Sequence, residues 1–438
     1  GMKAGAQFAP DGKQVFYLDG GRIFHVALAK PEQPEPLHAA AAITVRFGPD
    51  TRTSFDEAWR ALRDDFVDAR MNGTDWPALR ARFAPYVAAA RTDGEFRRLV
   101  SLMIGELNSS HMGIAPPRGA ARPVTGRLGL FFDRRQYERT GQLRVTAIVP
   151  LGPADVAGVR NGEILQAVNG YRLQPRDNLD ALLAHQIGRK VTLTLAENGA
   201  ERQVTVEPAD DSTIKHLIYL DWAEQNRELV DRLSGGRLGY VHIPDMSAES
   251  LAQLYVDLDA KTHAKQGVIV DIRANTGGFV NAYALDVFAR RGYLTMIRRG
   301  FPAARARSVL GQRALELPTV LMTSQQSLSD AEDFTEGYRA LHLGEVVGQP
   351  TGGWIIYTGA VTLLNGDSLR MPGIRVLDAD GKPMEMHPRP VDVSVQRPLG
   401  ESYHGQDVQL ATAVKVLLAG VVAKARPAPP APRRRPQP

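Results

Sequence analysis

At 438 residues the chain is longer than one hydrophobic core usually supports, so several domains are expected. Hydrophobic and charged fractions of 43% and 23% are those of globular protein, no apolar run reaches the ~18 residues of a membrane span, and zero cysteines exclude disulfides, thiolate metal sites and a cysteine nucleophile. Much of the net charge of +5 sits in the Pro/Ala-interleaved tail, Arg426 through Arg433-Arg434-Arg435, which reads as disordered; with no aromatic–basic recognition module beside it, nucleic acid is not an expected partner.

The opening Gly1-Met2 reads as a cloning remnant, with an authentic N-terminus expected upstream. No signal-peptide pattern follows it, and the compartment, cytoplasmic or extracytoplasmic, stays open. Gln14–Leu18 and Arg22–Val26, separated by Asp19-Gly20-Gly21, predict a β-hairpin. Phe8-Ala9-Pro10-Asp11-Gly12-Lys13 resembles the turn of a propeller blade; a single copy predicts a blade remnant, since one blade cannot bury its faces. Beyond the Pro-rich stretch at 31–36, Phe55, Trp59, Leu62 and Phe66 recur at helical spacing, with Thr53-Ser54 read as the N-terminal signal. Helices over 76–90 and 93–107 complete a small helical domain ending in Asn108-Ser109-Ser110-His111.

Short strands and Gly turns dominate 124–208. Arg144–Val149, the Gly152–Val159 turn, Gly162–Gly170, a helix near 177–187 and the strand Val191–Leu195 follow in order. This order resembles a circularly permuted PDZ domain. The resemblance implies a carboxylate-binding loop at Arg127-Leu128-Gly129-Leu130-Phe131, where the backbone of Leu128, Gly129 and Leu130 would receive a peptide terminus or extended segment. From 237 onward strands (238–243, 267–272, 318–322, 345–347) alternate with helices (247–262, 281–290, 330–342), predicting an α/β domain with a largely parallel sheet.

Four short stretches carry candidate chemistry. Ser324-Gln325-Gln326-Ser327-Leu328-Ser329-Asp330 lies between a strand and a helix, where an exposed hydroxyl would sit beside helix N–H groups and a positive dipole end. The same residues also read as a capping box, Ser329 with Glu332. Arg273-Ala274-Asn275-Thr276-Gly277-Gly278 is a Gly-pair turn after a buried strand, and an ordinary turn explains it equally well. Ser110-His111 reads alone as a helix end, and Glu385, within Gly381–Asp392, as a solvated carboxylate.

Together and in this order the four stretches resemble the serine peptidases that include tricorn protease and the C-terminal processing peptidases. The resemblance covers about 50–420. It implies a multidomain α/β plus α and β protein: a propeller-blade remnant and linker (1–45), a helical domain (46–118), a PDZ domain (119–210), a ClpP/crotonase-like α/β catalytic domain (211–424) and the disordered tail (425–438). It further implies Ser329 as nucleophile, His111 as base, Ser110 and Glu385 as the rest of a tetrad, and Asp330, Gly277 and Gly278 as the oxyanion hole. Ser327 is the rival nucleophile. Pro350 stands where the processing-peptidase branch carries its lysine, so a Ser–Lys dyad is not expected. Residues 290–299 offer Leu294, Thr295 and Met296 but no carboxylate, so tricorn's preference for basic side chains is not carried over. His387-Pro388-Arg389 departs from the plain turn of related sequences and leaves Glu385 the weakest placement. The implied function is hydrolysis of peptides or unfolded proteins, as an endopeptidase or carboxypeptidase-like processing enzyme, without metal or cofactor; self-association into a homo-oligomer stays open. Two alternatives remain: a catalytically idle scaffold that binds peptides through the PDZ domain, and a crotonase-like acyl-CoA enzyme, which has no use for such a domain.

Overall fold

The computed structural model describes residues 3–19, 22–31, 34–37, 47–117, 125–262, 264–305 and 314–425. The Gly20-Gly21 turn and the tail beyond Ala425 lie outside them. Strands β1 (Lys3–Phe8), β2 (Gln14–Asp19), β3 (Arg22–Ala27) and β4 (Glu35–Pro36) form an antiparallel sheet in sequence order, and Asp19 pairs with Arg22 as the hairpin signal predicts.

Helices α1 (Phe47–Asp65), α2 (Trp76–Ala89) and α3 (Asp93–Gly105) pack around Phe55, Leu62, Trp76, Phe96 and Met103. Thr53-Ser54 does not cap α1, which already runs at Phe47. Ser54 is buried, and its hydroxyl accepts Asn365 N–H at 3.1 Å. Leu363, Leu369 and Met371, from far along the chain, complete this core. Strand β5 (Gly113–Ala115) follows α3.

The segment expected to be PDZ-like holds β6 (Leu130–Phe132), α4 (Arg134–Thr140), β7 (Leu143–Ile148), α5 (Pro153–Val156), β8 (Ile164–Val168), β9 (Tyr171–Arg172), α6 (Leu179–Leu182), β10 (Val191–Glu197) and β11 (Ala200–Val206). Its sheet runs β11-β10-β8-β7-β6, which among the described residues leaves one edge of β6 unpaired. The helix expected near 177–187 shrinks to a single turn, opened by Asn178, whose side chain accepts Asp180 and Ala181 N–H.

Helix α7 (Asp211–Ser234) leads into β12 (Leu238–His242), α8 (Ala248–Lys261), β13 (Gly267–Asp271), α9 (Asn281–Ala289), the short pair β14 (Thr295–Met296) and β15 (Ala304–Arg305), β16 (Thr319–Thr323), α10 (Asp330–Ala340), β17 (Gly344–Gly348), β18 (Ile356–Thr362), β19 (Ser368–Arg375), β20 (Val393–Ser394) and α11 (Val408–Ala425). The main sheet is wholly parallel, β12-β13-β16-β17-β20. One face buries Val241, Val268, Val270 and Leu321 under α8, α9 and α10; the other buries Tyr240, Ile269, Val320 and Met322 under α7 and α11. Burial on both faces is why these strands are continuous apolar runs rather than alternating ones. Strands β18 and β19 form a separate antiparallel sheet with β5, tying the α/β segment to the helical one.

Candidate active site

The serine turn connects the end of β16 to the start of α10. Ser329 has φ 58° and ψ −126°, a conformation L-residues with a Cβ rarely adopt, and its hydroxyl caps nothing. The hydroxyl half of the capping-box reading therefore fails. The Glu332 carboxylate, fully buried, accepts Thr351 Oγ1 at 2.6 Å and the N–H groups of Gly353 and Trp354 at 2.8 and 2.7 Å. Burial pushes the Glu332 carboxyl above its ordinary value, and these bonds oppose the shift. Ser327 is wholly buried; its hydroxyl donates to Ile272 O at 2.8 Å and accepts Ser324 N–H at 3.0 Å.

The Gly-pair turn at the end of β13 packs against that serine. A Cβ on Gly277, which has φ 92°, would meet Ser329 Cβ at 2.5 Å and Asp330 N at 2.9 Å, so only glycine lets the two turns touch. Asn275, fully buried, shapes the turn: Oδ1 accepts Gly277 N–H at 2.9 Å and Nδ2 donates to Ile243 O at 2.8 Å. Among the described residues, the N–H groups of Gly278 and Asp330 have no hydrogen-bond acceptor, whereas that of Gly277 is taken. The expected donor set thus narrows to Gly278 and Asp330. The buried Asp330 carboxylate accepts the N–H groups of Val280 and Asn281 at 2.8 and 3.0 Å, capping α9 and locking the serine helix to the Gly turn. Behind the turn, Arg273 is ion-paired to Asp271 at 2.7 Å and to Asp407 at 2.9 Å, all three in the interior.

His111 follows α3 with φ 59°. Ser110 Oγ lies 2.8 Å from His111 Nδ1 and donates to Glu385 Oε2 at 3.0 Å. A hydroxyl that gives its proton to a carboxylate can only accept from the ring, which places hydrogen on Nδ1 and leaves the Nε2 lone pair free. Glu385 sits in the irregular stretch between β19 and β20. It is held by Ser110 N–H at 2.7 Å and Ile355 N–H at 3.0 Å, so it is not a solvated loop carboxylate. The unexpected His387-Pro388-Arg389 has an anchoring role. The buried Arg389 guanidinium donates to Glu336 and Asp378 at 3.1 and 3.3 Å and to the His387 carbonyl, pinning the loop that carries Glu385. Burial holds His111 below the ordinary imidazole value, the Arg370 guanidinium adds to that shift, and Glu385 opposes it.

The relay and the serine share a backbone bridge. Trp354 C=O accepts Ser329 N–H at 3.0 Å, and the next N–H, of Ile355, reaches Glu385. Among the described residues no hydrogen bond joins His111 to Ser329. Leu128, Gly129 and Leu130 line a separate groove of about 340 Å³. Its far wall is formed by Ile214, Lys215 and Ile218 of α7, a contribution that local sequence patterns did not foreshadow.

Comparison with known proteins agrees with this architecture. Residues 237–395 match the model of peptidase family S41, residues 48–105 the tricorn protease C1 domain and residues 150–211 the tricorn protease PDZ domain. The members of family S41 are serine-type peptidases, a class consistent with a parallel α/β sheet that presents a serine at a strand-to-helix turn. The chain carries a tricorn-like serine peptidase core with a PDZ domain, the family S41 match lying within residues 237–395. It is 30% identical to tricorn protease homolog 1 of Streptomyces coelicolor over 94% of this chain and 40% of that protein. It is 25% identical to the tricorn protease of Thermoplasma volcanium over 94% of this chain and 41% of that protein. The crystal structure of the tricorn protease superposes with a TM-score of 0.82 at 21% identity, covering 95% of this chain and 41% of the other. The chain thus spans about two-fifths of the length of these relatives.

Proposed function

We propose that the chain is a peptidase core in which Ser329 attacks the scissile carbonyl of a peptide or unfolded-protein substrate. His111 Nε2 takes the serine proton and returns it to the leaving amine, while Ser110 and Glu385 hold the ring and stabilise its cationic form. The Gly278 and Asp330 N–H groups receive the oxyanion, and Gly277 supplies the close approach. The observation that carries this reading is the Glu385–Ser110–His111 chain of hydrogen bonds, assembled from residues 275 positions apart. An idle scaffold has no use for such a relay. Within the same reading we take the sheet of residues 3–36 as one propeller blade, with Phe8, Leu18 and Ile23 exposed on it. Residues 46–118, 119–210 and 211–424 are then the helical, PDZ and ClpP/crotonase-like catalytic domains. The test is covalent labelling by a fluorophosphonate, with the modified residue mapped: adduct on Ser329 is expected, and an unreactive native protein would overturn the peptidase reading.

The histidine assignment has a pH signature. Activity requires neutral His111, whose pKa burial depresses, so activity should be retained as pH falls and be lost only below the ordinary imidazole value of about 6.5. A kcat/KM profile whose acid limb lies well above that value would count against His111 as base.

The PDZ-like groove is read as a docking site for a peptide terminus or extended segment, held by the unpaired edge of β6 and the Leu128–Leu130 backbone. Ile218 lines it from α7 and is 40% exposed, so Ile218→Glu should spoil the groove without disturbing a core. KM should rise severalfold for long unstructured substrates and little for peptides of a few residues. An equal loss on both lengths would remove the docking role.

A further inference from the structure

A crevice outside the C-terminal edge of the parallel sheet is not used by the reaction described above. It encloses about 500 Å³, and every strand of the sheet feeds it: His242 ends β12, Ala274 lies just past β13, Ser324 and Gln349 directly follow β16 and β17, and Arg397 lies just past β20. Ligands of open parallel α/β sheets sit outside these strand ends, in spaces of this size.

The floor of the crevice is aromatic and uncharged. Tyr219 and Trp222, one turn apart on α7 and partly exposed, have ring centres 6.3 Å apart and planes tilted by 33°. The Trp222 and His242 rings meet edge-on at 4.8 Å. His242 Nε2 lies 3.1 Å from Arg273 O, a carbonyl that can only accept, so Nε2 carries the hydrogen and Nδ1 accepts the Tyr219 hydroxyl at 3.2 Å. Burial holds His242 below the ordinary imidazole value, which keeps the ring neutral. The guanidinium groups on the walls are already paired, Arg273 with Asp271 and Asp407, and Arg397 with Glu401 at 2.6 Å. Among the described residues no carboxylate lines the crevice, and the exposed side-chain amides of Gln325 and Gln326 have no hydrogen-bond partner.

Two loops lead from this crevice to the nucleophile. Ala274 N–H donates to Ser324 Oγ at 3.3 Å, Leu328 N–H donates to Asn275 O at 2.8 Å, and Gly277 abuts Ser329, so the loops run side by side all the way. From Ala274 to Gly277 the chain can reach about 11 Å at most, the length of roughly three residues of extended peptide. None of the lining comes from the segments that carry Ser110, His111 and Glu385. His111 protonates the leaving amine, so the amine half of a substrate departs on the histidine's side and the acyl half extends the other way.

We propose that the crevice holds the side chain of the third residue before the scissile bond and selects an aromatic one. The proposal rests on the peptidase reading above. The incoming ring packs on Tyr219 and Trp222 in a tilted or offset arrangement, and the amides of Gln325 and Gln326, each a donor and an acceptor, bond the peptide groups beside it. A charged side chain is disfavoured there, because it would lose water and gain no free counter-charge.

The experiment uses tetrapeptides ending in a fluorogenic aminocoumarin amide, which fixes the scissile bond. The residue next to the bond is held constant, and one phenylalanine is moved through the second, third and fourth positions of an otherwise alanine peptide. Values of kcat/KM are normalised to fluorophosphonate-labelled sites. Phenylalanine at the third position should exceed alanine by roughly 10–100-fold, the range expected from burying and stacking one ring, and should gain much less at the other two. Leucine at the third position should gain severalfold less than phenylalanine. Trp222→Ala should bring the phenylalanine/alanine ratio near unity, and Trp222→Phe should restore most of it; a purely structural role for Trp222 would lower the labelled fraction and leave the ratio alone. A native ratio near unity, a maximum at another position, equal gains from leucine and phenylalanine, or a Trp222→Ala protein that labels and keeps the native ratio overturns the proposal. A native protein that labels but cleaves none of the peptides overturns it while the nucleophile assignment stands. One that neither labels nor cleaves overturns the peptidase reading and this proposal with it.

Discussion

Ser329→Ala is expected to abolish peptide hydrolysis and fluorophosphonate labelling, with turnover falling by roughly 10⁴–10⁶-fold. The substitution keeps the Cβ, so the φ of 58° and the contact with Gly277 are carried by alanine as they were by serine, and folding should be undisturbed. Ser327 supplies the matched comparison two residues away. Its hydroxyl is sealed inside and spent on Ile272 O and Ser324 N–H, so Ser327→Ala should cost about 1–3 kcal/mol of stability while sparing labelling of the protein that remains folded. Retained turnover in Ser329→Ala with loss in Ser327→Ala would reverse the assignment.

His111→Ala should be nearly as damaging as loss of the serine, because proton transfer and nucleophilic attack belong to one event. The Ser329→Ala/His111→Ala double variant should then be little worse than either single change, as residues that act as one unit are strongly non-additive. The comparison needs only steady-state rates on one peptide. Independent, multiplying losses in the double variant would show that the two side chains do not share a step, and the relay from Glu385 through Ser110 would lose its purpose.

The parallel strands were legible in the sequence because burial on both faces leaves unbroken apolar runs such as Gly267–Asp271 and Thr319–Thr323. The helices between them were legible from their spacing, to within a few residues at their ends. Helix α7 was not. It meets β12 and α11 along part of its length and the PDZ-like groove at its start, so its apolar residues are spread around it and give no single stripe. Of the residues proposed for the site, Ser329, His111, Ser110 and Glu385 are those that motif order and resemblance name. The side chains that organise them could not. Glu332 fits a local capping box so well that its bonds to residues 19 to 22 positions away leave no trace in sequence. Asn275 reads as one more turn-former until its two hydrogen bonds are seen.

The helices α1–α3 do not own their core. Leu363, Leu369 and Met371 fill it, Ser54 and Glu57 hold the N–H groups of Asn365 and Leu364, and Arg97 pairs with Asp367, partners 270 to 311 positions downstream. Synthesis runs from the N-terminus, so these helices emerge from the ribosome long before the strands that finish them. His111 hangs from the end of that unfinished bundle, and Glu385, the carboxylate that binds its neighbour Ser110, emerges later still. The growing chain therefore carries this histidine before the residues that hold its neighbour exist, and the Glu385–Ser110–His111 chain of hydrogen bonds closes only once the segment around residue 385 has been made.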